Sequence, residues 1–90
     1  MKTIRFCQTP GIQALKNAHL DIAASIIIQH FAGKESFLVF SYLEGKTYIT
    51  DGNNITLATF AHRLFSQDVW AVYGEEGEIK YYTFLIPSEY

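Results

Sequence analysis

The sequence predicts an α+β fold, a single-domain two-layer sandwich in which an antiparallel sheet of about five strands carries two helices on one face. Three observations lead there. The chain has 90 residues, enough for one hydrophobic core and too few for two, so residues 1–90 make one domain. Apolar residues are 49% of it and charged residues 18%, which excludes a disordered chain. Segments with a two-residue apolar period are interleaved with segments of helical period in the order β-α-β-β-α-β-β.

Residues 2–7 alternate, with Ile4 and Phe6 on one side and Thr3, Arg5 and Cys7 on the other, as a short strand does. Thr9-Pro10 then opens a helix, because Thr can cap and Pro at the first helical position gives up an amide that has no partner there. Ile12, Leu15, Ile22 and Ile26 form one stripe, with His19 and His30 on it, and Leu20, Ala24, Ile27, Ile28 and Phe31 form a second. Past residue 20 only Asp21, Ser25 and Gln29 stay wet, so this part of the helix over residues 10–32 is covered on more than one side. Gly33 ends it. The β-branched run Ile26-Ile27-Ile28 leaves a strand open as an alternative, and Asp21 leaves open a second helix capped after a break.

Residues 36–43 and 46–50 read as strands joined at Glu44-Gly45, since a two-residue hairpin needs positive φ. Asp51-Gly52-Asn53-Asn54 is turn chemistry, with Asn54 placed to cap a helix in which Leu57, Phe60, Ala61, Leu64 and Phe65 recur at helical spacing as far as Gln67. Residues 68–73 and 78–86 form a last hairpin around Gly74-Glu75-Glu76-Gly77, and Pro87 stops its second strand. The order is similar to the ferredoxin-like split β-α-β arrangement with one strand added at the end.

With both helices on one face, the other face of the sheet should alternate to polar residues. It does not. Phe37, Val39 and Leu43 oppose Leu38, Phe40 and Tyr42, and in the last strand Tyr81 and Leu85 oppose Tyr82, Phe84 and Ile86. Something is therefore expected to cover the second face: another copy in a homodimer, a partner, or a ligand.

The net charge is -2 and unevenly spread. Up to Arg63 there are six basic and four acidic residues; from Leu64 on, Lys80 stands alone against Asp68, Glu75, Glu76, Glu78 and Glu89. A phosphate backbone is bound mostly by cations, so direct nucleic-acid binding is not expected. Phe37-Leu38-Val39-Phe40 matches the tail of the aromatic strand motif of RNA recognition domains, but Gly33-Lys34-Glu35-Ser36 lacks the basic-Gly-aromatic lead and the match falls on the wrong strand. One cysteine permits no internal disulfide, no apolar run spans a bilayer, and the few apolar residues after Met1-Lys2 do not make a secretion signal. A cytoplasmic protein is the simplest expectation.

Chemical signatures are sparse. Cys7 precedes a helix start, where the dipole favours thiolate, but a nucleophile also needs a base and an orienting group, and the three histidines lie far off in sequence. His19 and His30, about 16 Å apart along one helix, cannot share an ion with Cys7 and His62 without a kink. Glu75, Glu76 and Glu78 lack the alternating ligands of a calcium loop, and the glycines beside them border like charges that repel phosphate. No metal or cofactor is expected. The expected function is a non-enzymatic binding protein acting through protein–protein contacts. Trp70, Tyr73, Tyr81 and Tyr82 would be its aromatic anchors, with Glu75, Glu76 and Glu78 supplying the charge for a partner of basic surface. Small inhibitors of phage or mobile-element anti-defence type and immunity proteins share this size and charge, an analogy that extends the expectation to inhibition of a larger nucleic-acid-handling protein. The alternative is a small-ligand-binding or minor enzymatic domain with a pocket near Cys7 and His19.

Overall fold

The computed structural model describes residues 4–15, 19–53 and 55–90. Within them the chain is a small α+β domain with a mixed six-stranded sheet and two helices. Strand β1 (Ile4–Gln8) leads into helix α1 (Pro10–Gln13), and helix α2 (Leu20–Ile26) continues through a π-helical turn (Ile27–Phe31). Five strands follow: β2 (Phe37–Leu43), β3 (Lys46–Thr50), β4 (Thr56–Phe60), β5 (Val69–Glu76) and β6 (Ile79–Leu85), then a 3-10 turn (Pro87–Glu89).

The sheet runs β1-β6-β5-β2-β3-β4. All neighbours are antiparallel except β1 and β6, which pair in parallel with Phe6 opposite Tyr82. Strand β1 thus lies at an edge and β2 runs parallel to it, with the β5–β6 hairpin inserted between them. This corrects the ferredoxin-like order, the all-antiparallel sheet and the count of five strands.

The second helix expected over residues 54–67 does not form. Its capping residue Asn54 lies outside the described residues, and its apolar positions are divided between β4 and an irregular segment. Tertiary pairing overrides helical spacing here. Strand β3 presents a free edge that Thr56–Phe60 fills, with a register shift at Ile49/Thr50 that turns both Leu57 and Ala58 toward the core. Leu64 and Phe65 then fold back as a plug, 2% and 3% exposed. Buried Thr47 pins this plug, its hydroxyl donating to the His62 carbonyl and accepting from the Leu64 amide at 3.3 Å.

The single helix read over residues 10–32 is two, with residues 16–18 between them outside the described set, as are residues 1–3 ahead of β1. Thr9 does cap α1, its hydroxyl accepting from the Ile12 amide at 3.4 Å. Helix α2 starts with His19 in the cap position and Asp21 in its first turn, where a negative charge suits the positive end of the dipole. A new helix has its own phase, so Ala23, Ile26, Ile27 and Phe31 face the sheet while Ile22 is exposed, unlike a stripe drawn through one unbroken helix. The π-helical turn closes through the Ala32 amide on the Ile27 carbonyl at 2.7 Å, and Gly33 at φ 79° reverses the chain after it. Fully buried Tyr82 holds that exit: its hydroxyl donates to the Glu35 carbonyl at 2.6 Å and contacts the Phe31 carbonyl at 3.4 Å. Burial keeps this phenol neutral, above its usual range.

The two hairpins agree with the sequence. Leu43 pairs with Lys46 across Glu44 (φ 52°) and Gly45 (φ 80°), the double positive φ of a type I′ turn. The last hairpin runs further than its glycines suggest, with β5 continuing to Glu76 and the turn falling at Gly77-Glu78.

Thr47→Val is isosteric but leaves the buried Leu64 amide unpaired. It should cost about 1–3 kcal/mol, read as a lower urea midpoint at unchanged slope; a midpoint equal to the wild type would show that Thr47 does not hold the plug.

Candidate functional site

The two faces of the sheet differ. Phe6, Leu38, Phe40, Ile49, Val69, Ala71, Tyr82 and Phe84 point toward the helices and make the core with Ile12, Ile26 and Ile27. On the opposite face the same strands carry Phe37, Val39, Trp70, Val72, Tyr81 and Thr83, all half-buried, while the buried residues of α1 and α2 pack on the core side. Cross-strand pairing sets them side by side: Phe37 opposite Val72, Val39 opposite Trp70, Val72 opposite Thr83.

Three aromatic rings gather at one end. The Phe37 ring lies 5.2 Å from Trp70 at 61°, and Tyr90 lies 5.2 Å from Trp70 at 67° and 6.4 Å from Phe37 at 89°, edge-to-face arrangements that suit ring quadrupoles. Toward the hairpin, the outer end of the Tyr81 ring lies against Gly74. A Cβ on Gly74 would stand 2.6 Å from the Tyr81 Cζ, so only glycine admits the ring there. Between Tyr81 and Tyr90 runs an open groove of about 380 Å³, floored by Val72, Gly74, Thr83 and Leu85 and bordered by Glu89.

The acidic residues are divided among three directions. Glu76 is on the open side with Ile79 and Tyr81, Glu78 is in the turn, and Glu75 is on the helix side opposite Lys80. Glu75 accepts from the Tyr73 hydroxyl at 2.7 Å. Burial first, then that hydrogen bond and the carboxylate's charge, push the Tyr73 phenol up to about 12, so it stays a neutral donor. Behind this pair a hollow of about 250 Å³ is lined by Lys34, Glu35, Ser36, Tyr73, Glu75 and Lys80, two cations against two anions.

Of the seven residues singled out from the sequence, Trp70, Tyr81 and Glu76 therefore share the open face, and Glu78 sits at its tip. Tyr73 and Glu75 belong to the helix side, and Tyr82 is a core residue with no surface to offer. Phe37, Val72 and Tyr90 are surface members that the acidic hairpin alone did not point to. Strand parity does signal part of this, because Tyr82 alternates with Tyr81 and shares a side with Phe84.

The residues of the alternative pocket are not brought together. Cys7 is exposed on the open side of β1 opposite Thr83, whereas His19 starts α2 in the layer on the other side, its amide on the Leu64 carbonyl at 2.9 Å. Neither hollow described above is lined by them. Among the described residues no group of three His, Cys, Asp or Glu gathers for a metal, and no helix is long and apolar enough to cross a membrane.

The edge of the open face is tied to the start of the chain by Glu89. Its Oε1 accepts from the Thr9 hydroxyl at 2.6 Å and the Ile86 amide at 3.1 Å, and its Oε2 accepts from the Gly11 amide at 3.0 Å. Hydrogen bonds from Thr9 first, then from the two amides, hold this carboxyl below its ordinary 4.5.

Comparison with protein-family models, with curated proteins and with solved structures finds no match to this chain.

A carboxyl whose folded pKa is lowered adds stability above its unfolded pKa and loses it as pH falls through the folded value. Glu89→Gln should therefore melt below the wild type at neutral pH, and the gap should close as pH drops below 4.5. Melting followed by circular dichroism from neutral to about pH 2 checks this; a gap that persists at the acid end would contradict it.

Proposed function

We propose that this chain is a non-enzymatic, cytoplasmic protein-binding domain that docks the open face of its sheet on a partner with a basic surface. The observation that carries the reading is the aromatic and aliphatic lining of that face, where a sheet facing water would be polar. Trp70 and Tyr81 are the anchors, since large half-buried rings on rigid strands bury much area at little cost in side-chain freedom. Glu76 beside Tyr81, with Glu78 at the tip, gives the face an acidic rim, the charge that favours a basic partner and speeds its approach. A protein that itself handles nucleic acid has such a surface, and covering it would inhibit that protein. A second copy of the chain is the competing occupant of the same face.

The test is affinity capture of binding proteins followed by surface plasmon resonance at two salt concentrations. Trp70→Ala should raise the off-rate by the equivalent of about 2 kcal/mol or more. Replacing Glu75, Glu76 and Glu78 together with Gln should slow association and flatten its salt dependence. Cys7→Ser should bind as the wild type does. A partner that binds the Trp70 variant with unchanged kinetics sinks the reading, and sedimentation showing a stable dimer at low micromolar concentration, lost in the same variant, would give the face to a second copy.

A further inference from the structure

The open face carries a cover of its own. Beyond β6, residues 86–90 fold back in a single 3-10 turn, closed by the Glu89 amide on the Ile86 carbonyl at 2.9 Å and the Tyr90 amide on the Pro87 carbonyl at 3.2 Å. Such a turn has little stability of its own. What fastens it to the rest of the domain is the Glu89 carboxylate, through Thr9 and Gly11. Gly11 is part of the fastening, because a Cβ there would stand 2.5 Å from the Glu89 Oε1. Fastened in this way, the turn sets the Tyr90 ring edge-on over Trp70 and Phe37. Tyr90 is 78% exposed while Trp70 and Phe37 are half-buried, so Tyr90 is the outermost of the three packed rings.

We propose that residues 87–90 form a strap, latched by Glu89 onto Thr9 and Gly11, that covers the Trp70–Phe37 end of the open face and lifts to admit a partner. The proposal rests on the open face being the docking surface. Its latch is a few exposed hydrogen bonds, so the strap opens at far lower cost than the domain unfolds, pivoting at Ile86, which stays packed against the core. A partner that engages Trp70 displaces Tyr90, and the strap therefore sets a threshold on binding without altering the anchors.

Trp70 is the one tryptophan in the chain, so its emission reports the strap with no partner present. Acrylamide quenching of Trp70 and binding of the uncharged dye Nile red are measured on the wild type and on Tyr90→Ala, Glu89→Gln and Gly11→Ala, with circular dichroism to confirm that each variant is folded. Removing the ring or either half of the latch should raise the quenching constant by about two-fold or more, as expected when a covering group leaves, and should increase dye binding. Tyr90→Ala tests the cover without touching the latch, and its exposed position leaves folding intact. Unchanged quenching in Tyr90→Ala overturns the proposal. So does reduced dye binding in that variant, which would make Tyr90 a wall of the groove instead of its cover. Wild-type quenching in both latch variants overturns the role of Glu89. Because none of these readings needs a partner, a failure of the strap is distinguishable from a failure of the docking surface.

Discussion

Strand β6 pairs on both sides, in parallel with β1 and antiparallel with β5, and the rest of the domain is arranged around that double pairing. It inserts the last hairpin between β1 and β2, so the chain between those two strands must cross three strand spacings, about 14 Å. Helices α1 and α2 make that crossing, and in doing so they cover one face of the sheet. A crossing consumes the helical material of a chain this short. The structure therefore has a face sealed by helices and a face covered by its own aromatic and aliphatic side chains.

The sealed face shows how polar groups are handled when burial is complete. Thr47 and Tyr82 each bring a hydroxyl into the core, and each uses it to hold an irregular segment that lacks a ladder of its own, the plug at 62–64 in one case and the exit of α2 in the other. Among the described residues no buried side-chain nitrogen or oxygen lacks a partner. These two segments are thus fixed to rigid strands by hydroxyls that each bond two backbone groups.

What could be read from the sequence followed the range of the forces involved. Glu44-Gly45 fixes its hairpin through the conformational freedom of two residues, and Thr9-Pro10 fixes the start of α1 within one turn. Leu57, Phe60, Ala61, Leu64 and Phe65 satisfy helical spacing, but the edge of β3 and the hydroxyl of Thr47, 15 and 17 residues from the groups it bonds, decide otherwise. Nothing local announces that β1 pairs with β6 rather than taking a central place. The same division applies to the candidate site. The apolar second face is visible in the alternation of Phe37 to Leu43, and the wrong side of Tyr82 was recoverable from its parity with Phe84. The placement of Tyr90 over Trp70 depends on Glu89 reaching Thr9 across 80 residues of sequence, and no periodicity encodes it.

Glycine usage bears on whether the open face is a leftover of a thin helix layer or a surface with its own design. A glycine inside a strand costs about 0.5–1 kcal/mol relative to alanine, and Gly74 is such a residue, at the centre of the long hairpin. Its only evident return is that the Tyr81 ring can lie across the backbone it leaves bare. Gly52 does the same for Phe37: at φ 88° it makes a turn, and a Cβ there would stand 2.8 Å from the Phe37 Cδ1. Two glycines on different loops and strands thus give room to two rings of one surface. A sheet that needed only to stay soluble could have placed Thr or Lys opposite Gly74 and dispensed with that glycine, whereas Gly52 is required by its turn whatever stands at position 37. Phe37 and Tyr81 are each half-buried, so each ring fills the space its glycine leaves and still keeps part of its surface open.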